Sequence, residues 1–326
     1  MDMAPTRRQL LAGGAALLSL APAGAALAQG EPAMEMLPLW PGRPPGWRRD
    51  SRIVRVVDEK SRSPGWHDRW ITGIGDPYLE VYRPARPNGS AVLLIPGGGY
   101  GFLAYDNEGT SQAAWLNARG ITAFILMYRL PGEGWDGRAL APLQDAQRAM
   151  RLIRSEAGRF GVDPAKIATL GFSAGGHLAG SLATRHAEAT YAAVDAADAL
   201  SARPDLAGLI YPVVSMEAGF THGGSRDNLL GADAPAALRS AASVETRVTA
   251  ETPPIFLAHA ADDGLVPPGN SLALHAAMLA AGRPCEMHMF DEAGHGFGVR
   301  LPREVPTAHW PDLFHTYGVR KGVFAA

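Results

Sequence analysis

The sequence predicts an α/β fold, a mostly parallel central sheet with helices on both faces. Three observations carry this. From residue 91 onward, short continuous apolar runs alternate with segments of helical spacing, the pattern of parallel strands buried on both faces. The chain has 326 residues, 47% of them hydrophobic, enough for one large domain with an extensive core. Gly171-Phe172-Ser173-Ala174-Gly175 lies between an apolar run and a small-residue run, which marks a sharp turn from strand to helix.

Taken in chain order, the first residues stand apart from the fold. Arg7-Arg8 precedes an apolar stretch from Leu10 to Leu27 that closes on Ala26-Leu27-Ala28. A charged start, an apolar middle and a small-residue end are the parts of an export signal. Residues 1–28 are therefore expected to be a signal peptide. Thr6-Arg7-Arg8-Gln9-Leu10-Leu11 is similar to the twin-arginine type, and an ordinary secretory signal is the alternative. The mature protein is expected in the periplasm or outside the cell, unattached to membrane once the signal is removed.

Residues 29–90 read as a lead-in and edge strands of the same domain. Residues 29–50 are rich in Pro, Gly, Arg and Trp and are expected to run extended over the surface. Ile53–Val57 and Leu79–Tyr82 read as strands of an antiparallel hairpin or edge. Residues 91–326 form the core. Ala91–Ile95 is a buried strand, Ser111–Arg119 a helix and Ile121–Tyr128 a strand. Pro142–Ala157 is a helix with Leu143, Ala146, Met150 and Ile153 on one face. Lys166–Leu170 is the strand before the turn, and Gly176–Ala183 continues as the helix after it. Strands follow at Leu206–Tyr211, Pro254–His259 and Glu286–Phe290, with a helix at Ser271–Ala281. Residues 212–252 lack strong periodicity and are expected to form a short lid or excursion.

Composition excludes several classes. Net charge is −2 with acids and bases interspersed, so no basic stripe suits nucleic acid. Cys285 is the single cysteine, which rules out an internal disulfide and a cysteine metal site. No His-Glu-x-x-His or clustered carboxylate loop is present, so no metal is expected. The glycine-rich stretch Pro96-Gly97-Gly98-Gly99-Tyr100-Gly101 lacks both phosphate-binding fingerprints, so no nucleotide cofactor is expected either.

The chemistry is carried by an ordered set. A serine hydroxyl is a weak nucleophile that needs a histidine base, and the base needs an acid to fix its tautomer. Ser173 occupies the turn, which has the form of the nucleophile elbow of the α/β-hydrolase fold. Its acid and base are expected downstream in that order. His259-Ala260-Ala261-Asp262-Asp263-Gly264-Leu265-Val266-Pro267 follows a strand and supplies the acid. Asp263, three residues before the valine, is favoured, and Asp262 shapes the turn. His295 lies between Gly294 and Gly296 after the last strand and is the expected base. His177 and His259 read as packing or core histidines; His222, His309 and His315 either line the site or are ordinary loop residues, and the loop reading is favoured. Acyl transfer also needs two N–H donors for the developing oxyanion. Ala174 supplies one, and Gly98 or Gly99 the other.

These motifs cover most of the mature chain. With Pro38-Leu39-Trp40-Pro41-Gly42, Asp145-Ala146-Gln147-Arg148-Ala149 and Tyr211-Pro212-Val213-Val214-Ser215, the chain resembles the acetyl-xylan-esterase-like or feruloyl-esterase-like branch of secreted bacterial α/β-hydrolases, some of which carry a xylanase label. The resemblance implies a serine esterase, with no cofactor, acting on acetylated polysaccharides, oligosaccharides or small acyl esters. It does not imply a glycosidase, which works with paired carboxylates. A general short-chain carboxylesterase and a peptidase of the prolyl-oligopeptidase group share the triad order. A non-catalytic binding protein on the same fold is the reading from another class. Trp40, Trp47, Trp66, Trp70, Trp135 and Trp310 are scattered and are read as packing anchors before a sugar platform. The oligomeric state is not set by any pattern.

Overall fold

The computed structural model describes residues 35–326 apart from Ser51, Ser63 and Ala218. The expected signal peptide, residues 1–28, lies outside them. The strands in chain order are β1 (Glu35–Pro38), β2 (Val56–Glu59), β3 (Arg69–Thr72), β4 (Tyr78–Tyr82), β5 (Gly89–Ile95), β6 (Leu103–Ala104), β7 (Thr122–Met127), β8 (Val162–Phe172), β9 (Leu206–Ile210), β10 (Ile255–Ala260) and β11 (Cys285–Phe290). The helices are α1 (Ser111–Asn117), α2 (Ala141–Ser155), α3 (Ala157–Phe160), α4 (Ala174–Arg185), α5 (Gly223–Leu230), α6 (Ala236–Ala242), α7 (Gly269–Ala280) and α8 (Trp310–Arg320).

Eight strands form the main sheet in the order β1-β4-β7-β5-β8-β9-β10-β11. From β7 to β11 every pairing is parallel, and β4 pairs antiparallel with both β1 and β7. The continuous apolar runs are the reason. Every residue of β7, β9 and β10 is buried, as are Ser90–Ile95 of β5, so these strands need cover on both faces. β11, at the edge, is only partly buried.

The chain leaves β5 toward β7 on one side and returns to β8 on the other. In open parallel sheets that reversal opens a crevice at the carboxyl ends of the strands. Ile95 pairs with Gly171, so the loop after β5 and the turn after β8 leave the sheet side by side.

One expectation differs from the structure. The strand read at Ile53–Val57 lies at Val56–Glu59, fully exposed, and does not pair with residues 79–82. It joins β3 and β6 in a separate three-stranded sheet. An apolar run with no face against a core has nothing to fix its register. The excursion at 212–252 contains α5 and α6. The closing helix α8 was not expected, yet its Phe314 and Trp310 are buried, with the Phe314 ring centroid 5.4 Å from that of Phe256.

The lead-in is tied inward more firmly than an extended surface segment. Trp40 is buried and donates from Nε1 to Asp145 at 2.9 Å. Asp145 forms a fully buried ion pair with Arg129, and Arg148 donates to the Leu39 carbonyl at 2.8 Å. Among the described residues no helix is long and apolar enough to cross a membrane.

Candidate active site

Ser173 joins β8 to α4 with φ 53° and ψ −119°, a conformation an L-residue holds only when its surroundings force it. Its N–H donates to the Ile210 carbonyl at 3.1 Å, and its own carbonyl accepts from Val213 and His177. The strain sits on the serine, and neither Gly171 nor Gly175 has a positive φ. Gly171 and Gly175 serve close approach. A Cβ on Gly175 would lie 2.1 Å from the Ile95 carbonyl oxygen.

His295 and Asp263 arrive from the ends of neighbouring strands β11 and β10. His295 Nε2 lies 2.9 Å from Ser173 Oγ, and Nδ1 lies 2.7 Å from Asp263 Oδ2. A carboxylate only accepts, so Nδ1 carries the proton and Nε2 faces the hydroxyl as an acceptor. Asp263 is buried, and its Oδ1 accepts the N–H groups of Leu265 and Val266, each at 2.9 Å. Burial opposes its ionisation, but hydrogen bonds from His259 and His295 outweigh burial and hold the carboxyl well below the usual range. Asp262 does more than shape its turn. It accepts from Ala293 and Gly294 N–H at 3.0 and 2.8 Å, anchoring the loop that carries His295.

The glycine-rich loop wraps over the same point. Gly98 and Gly99 have φ of +116° and +62°. The Gly98 carbonyl accepts from Gly101 and Phe102, and the Gly99 carbonyl from Asn228 Nδ2 at 2.9 Å. The N–H groups of Gly98 and Gly99 meet no acceptor among the described residues. The Ala174 N–H, in the first turn of α4, has no partner within the helix. The Gly97 N–H is engaged elsewhere, donating to Glu108 Oε2 at 2.7 Å.

Ser173, His295, Gly98 and Gly99 line an open cleft of about 530 Å³. Residues 102–108 contribute Phe102, Ala104, Asn107 and Glu108 to it, and the 212–252 excursion contributes His222, Gly224 and Asn228. Asp68, Trp70 and Leu265 line it unexpectedly. Trp70 is stacked on Phe102, with ring centroids 3.8 Å apart, and the Lys60 ammonium lies 4.8 Å from its ring centre. Trp40, Trp135 and Trp310 are buried away from the cleft. Of the two readings left open for His222, the structure matches the less favoured one: it lines the cleft, its Nδ1 accepting the Ser225 N–H at 3.3 Å.

Sequence reasoning missed Glu108. It is buried in a single π-helical turn, Asp106–Thr110, and its Oε1 accepts the Tyr211 hydroxyl at 2.9 Å. Burial pushes its carboxyl up, against the pull of Gly97 N–H, the charge of His295 and the Tyr211 hydroxyl. The available signal was a polar quartet, Asp106-Asn107-Glu108-Gly109, between apolar segments. Among the described residues no group of three His, Cys, Asp or Glu side chains is arranged to hold a metal ion.

An acetylxylan esterase of Xylanibacter ruminicola is 32% identical over 228 residues, 69% of this chain and 44% of that protein. An endo-1,4-beta-xylanase B of Butyrivibrio fibrisolvens is 35% identical over 208 residues, 64% of this chain and 32% of that protein. The chain thus spans less than half the length of either relative. The crystal structure of an acetyl ester-xyloside bifunctional hydrolase from Caldicellulosiruptor lactoaceticus superposes with a TM-score of 0.72 at 32% identity, covering 89% of this chain and 97% of that one. The sequence model of the BD-FAE family matches residues 79–278, a span that holds the glycine-rich loop, the Ser173 turn and the Asp263 loop. The chain has the α/β-hydrolase fold and belongs to the BD-FAE family.

Proposed function

We propose that this protein is a serine carboxylic ester hydrolase that removes acetyl groups from carbohydrate esters. The observation that carries the reading is the relay Ser173 Oγ–His295 Nε2–Asp263, at 2.9 and 2.7 Å, on a serine held in a strained turn. Similarity to proteins named for acetyl ester and xylan hydrolysis supports the substrate class.

In this mechanism His295 Nε2 takes the Ser173 proton as Oγ attacks the ester carbonyl carbon. The oxyanion forms within reach of the N–H groups of Gly98 or Gly99 and Ala174, donors in fixed positions that need no reorganisation. The tetrahedral intermediate collapses, the alkoxide leaves with the proton from His295, and Ser173 remains acetylated. Water then gives a proton to His295 and attacks the acyl carbon. Acetate leaves, and the proton returns to Ser173. Asp263 stays ionised throughout and supports the imidazolium. No cofactor enters. A glycosidase reading would need two carboxylates open to the sugar. Asp68 and Glu108 both line the cleft, but each oxygen of Glu108 is already bonded. The leader Arg7-Arg8 and its apolar run support work in the periplasm or outside the cell.

The test is acetate release from acetylated xylan, beside 4-nitrophenyl esters from acetyl to octanoyl, by the mature protein and Ser173→Ala. Release from the polymer, abolished in the variant and with acetyl preferred, is the expected result. Turnover of small esters alone would remove the polysaccharide assignment, and an active Ser173→Ala would remove the whole reading.

A further inference from the structure

We propose that Glu108 is a positioning residue for the oxyanion donors and for His295, tying the glycine-rich loop to Tyr211 behind the reacting atoms. The proposal rests on the serine-esterase reading and assigns a task to a carboxylate that the triad leaves unused.

The geometry is a clamp. Glu108 Oε2 accepts the Gly97 N–H at 2.7 Å, and Oε1 accepts the Tyr211 hydroxyl at 2.9 Å. Gly97 itself abuts the serine turn. A Cβ there would lie 2.5 Å from the Phe172 carbonyl oxygen and 2.9 Å from Ser173 Cβ. Whatever holds Gly97 therefore sets the distance from Ser173 to the next two amides. By taking the Gly97 N–H, Glu108 also leaves Gly98 and Gly99 as the loop's donors.

The far end of the clamp reaches the base. Tyr211 is fully buried with φ +38°, and its ring meets the His295 ring edge-on with centroids 4.9 Å apart. Its other edge-on contact is Phe297, at 4.5 Å. One carboxylate thus links the donor loop to the ring that backs the imidazole.

The choice of a carboxylate also matters. Its two oxygens accept from two donors, where an amide offers a single acceptor oxygen, yet burying an anion without a fixed cation is unfavourable. The positive charge acting on Glu108 is that of protonated His295, which forms when His295 takes the Ser173 proton or, at low pH, a proton from water. The other titratable groups facing Glu108 are Asp68 before β3, Tyr211 after β9 and Tyr128 at the end of β7. None of these is a cation, so the anion acts in favour of the imidazolium.

The experiment measures 4-nitrophenyl acetate kinetics across pH for wild type, Glu108→Ala, Glu108→Gln and Ser173→Ala, with thermal unfolding as a fold check. Glu108→Ala should lower kcat by about 100-fold, the scale of losing one oxyanion donor, with KM within about threefold. Glu108→Gln keeps an acceptor for Gly97 and removes the charge. It should lower kcat less, and the acid limb of kcat/KM should move down by about half a pH unit, because an anion that favours the protonated base is gone. Wild-type kcat in Glu108→Ala, or an unmoved acid limb in Glu108→Gln, would overturn the proposal while an inactive Ser173→Ala leaves the esterase reading intact. If Glu108→Ala does not fold, the near-isosteric Glu108→Gln decides by its acid limb. An active Ser173→Ala would instead sink the esterase reading on which the proposal stands.

Discussion

His259 Nε2 lies 3.2 Å from Asp263 Oδ2, the same oxygen that takes the His295 hydrogen bond at 2.7 Å. The Val266 carbonyl is 3.0 Å from the same nitrogen. Both partners accept, so His259 donates there, and its Nδ1, 2.8 Å from Ser271 Oγ, accepts the hydroxyl. Read from sequence as a core histidine, it is buried and satisfied, and it also fixes the carboxylate from beneath. His259→Ala should cost about 2–3 kcal/mol of stability, as expected for buried groups left unpaired, and lower kcat by roughly tenfold through a loosened Asp263. His259→Gln, which keeps a donor, should recover part of both. Urea unfolding and ester hydrolysis rates check this; lost stability with wild-type kcat would confine His259 to packing.

Asp262 and Asp263 should separate cleanly. Asp263→Asn is expected to lower kcat by about 10⁴-fold, because an amide favours the wrong imidazole tautomer. Asp262→Ala releases the N–H groups of Ala293 and Gly294 and should cost roughly tenfold in kcat, on the scale of a positioning loss in an exposed loop. Equal losses in both variants would contradict the division of labour.

Two glycines should respond to alanine for different reasons. At Gly175 the new Cβ would meet backbone oxygens of Ile95 and Pro96 at 2.1 and 2.5 Å, so α4 must shift and Ser173 with it. About 3 kcal/mol of stability and nearly all activity should be lost. At Gly99 the nearest atom is 3.8 Å away, but φ is +62°. Only the left-handed backbone opposes alanine there, at about 1–2 kcal/mol, and activity should survive in part. Melting curves and hydrolysis rates of the two variants distinguish crowding from strain.

Acid should weaken the protein through His177. Its Nε2 donates to the Ala242 carbonyl at 2.8 Å, and its Nδ1 accepts the Tyr100 hydroxyl at 2.7 Å. Burial lowers its pKa to about 4, against the pull of the Ala242 carbonyl. The unfolded chain binds the proton first, near the ordinary value of about 6.5. Stability is therefore unaffected above that pH, declines as pH falls from about 6.5 toward 4, and levels off below it, by roughly 3 kcal/mol in all. Stability measured against pH should show this window in wild type and a shallower one in His177→Gln. An unchanged slope in the variant would assign the acid lability elsewhere.

The elements that carry the site were legible because they are the most buried ones. β5, β7, β9, β10 and the second half of β8 announce themselves as mainly apolar runs, and burial on both faces leaves such a run no other place in the sheet. Ser173 and Asp263 stand just past two of these strands, β8 and β10, and His295 just past the partly buried edge strand β11, so strand order brings all three to one edge. What was not legible depends on contacts distant in sequence. Glu108 reads as part of a turn until Tyr211, 103 positions away, closes on it. Asn228 belongs to an excursion without periodicity, and its bond to the Gly99 carbonyl spans 129 positions. Trp70 is one of seven scattered tryptophans, and only the pairing of β3 with β6 brings it against Phe102.

The lead-in has a bearing on where this chain can be cut. Its Pro, Gly and Arg content invites removal through residue 50 as a linker. Such a cut would strip β1 from β4, leaving a bare strand edge able to recruit another molecule. It would also uncover Asp145 and the Leu39 side of Arg148. Shortened forms of the protein should therefore stick to one another before they lose their fold, and the shortest well-behaved version begins ahead of Glu35.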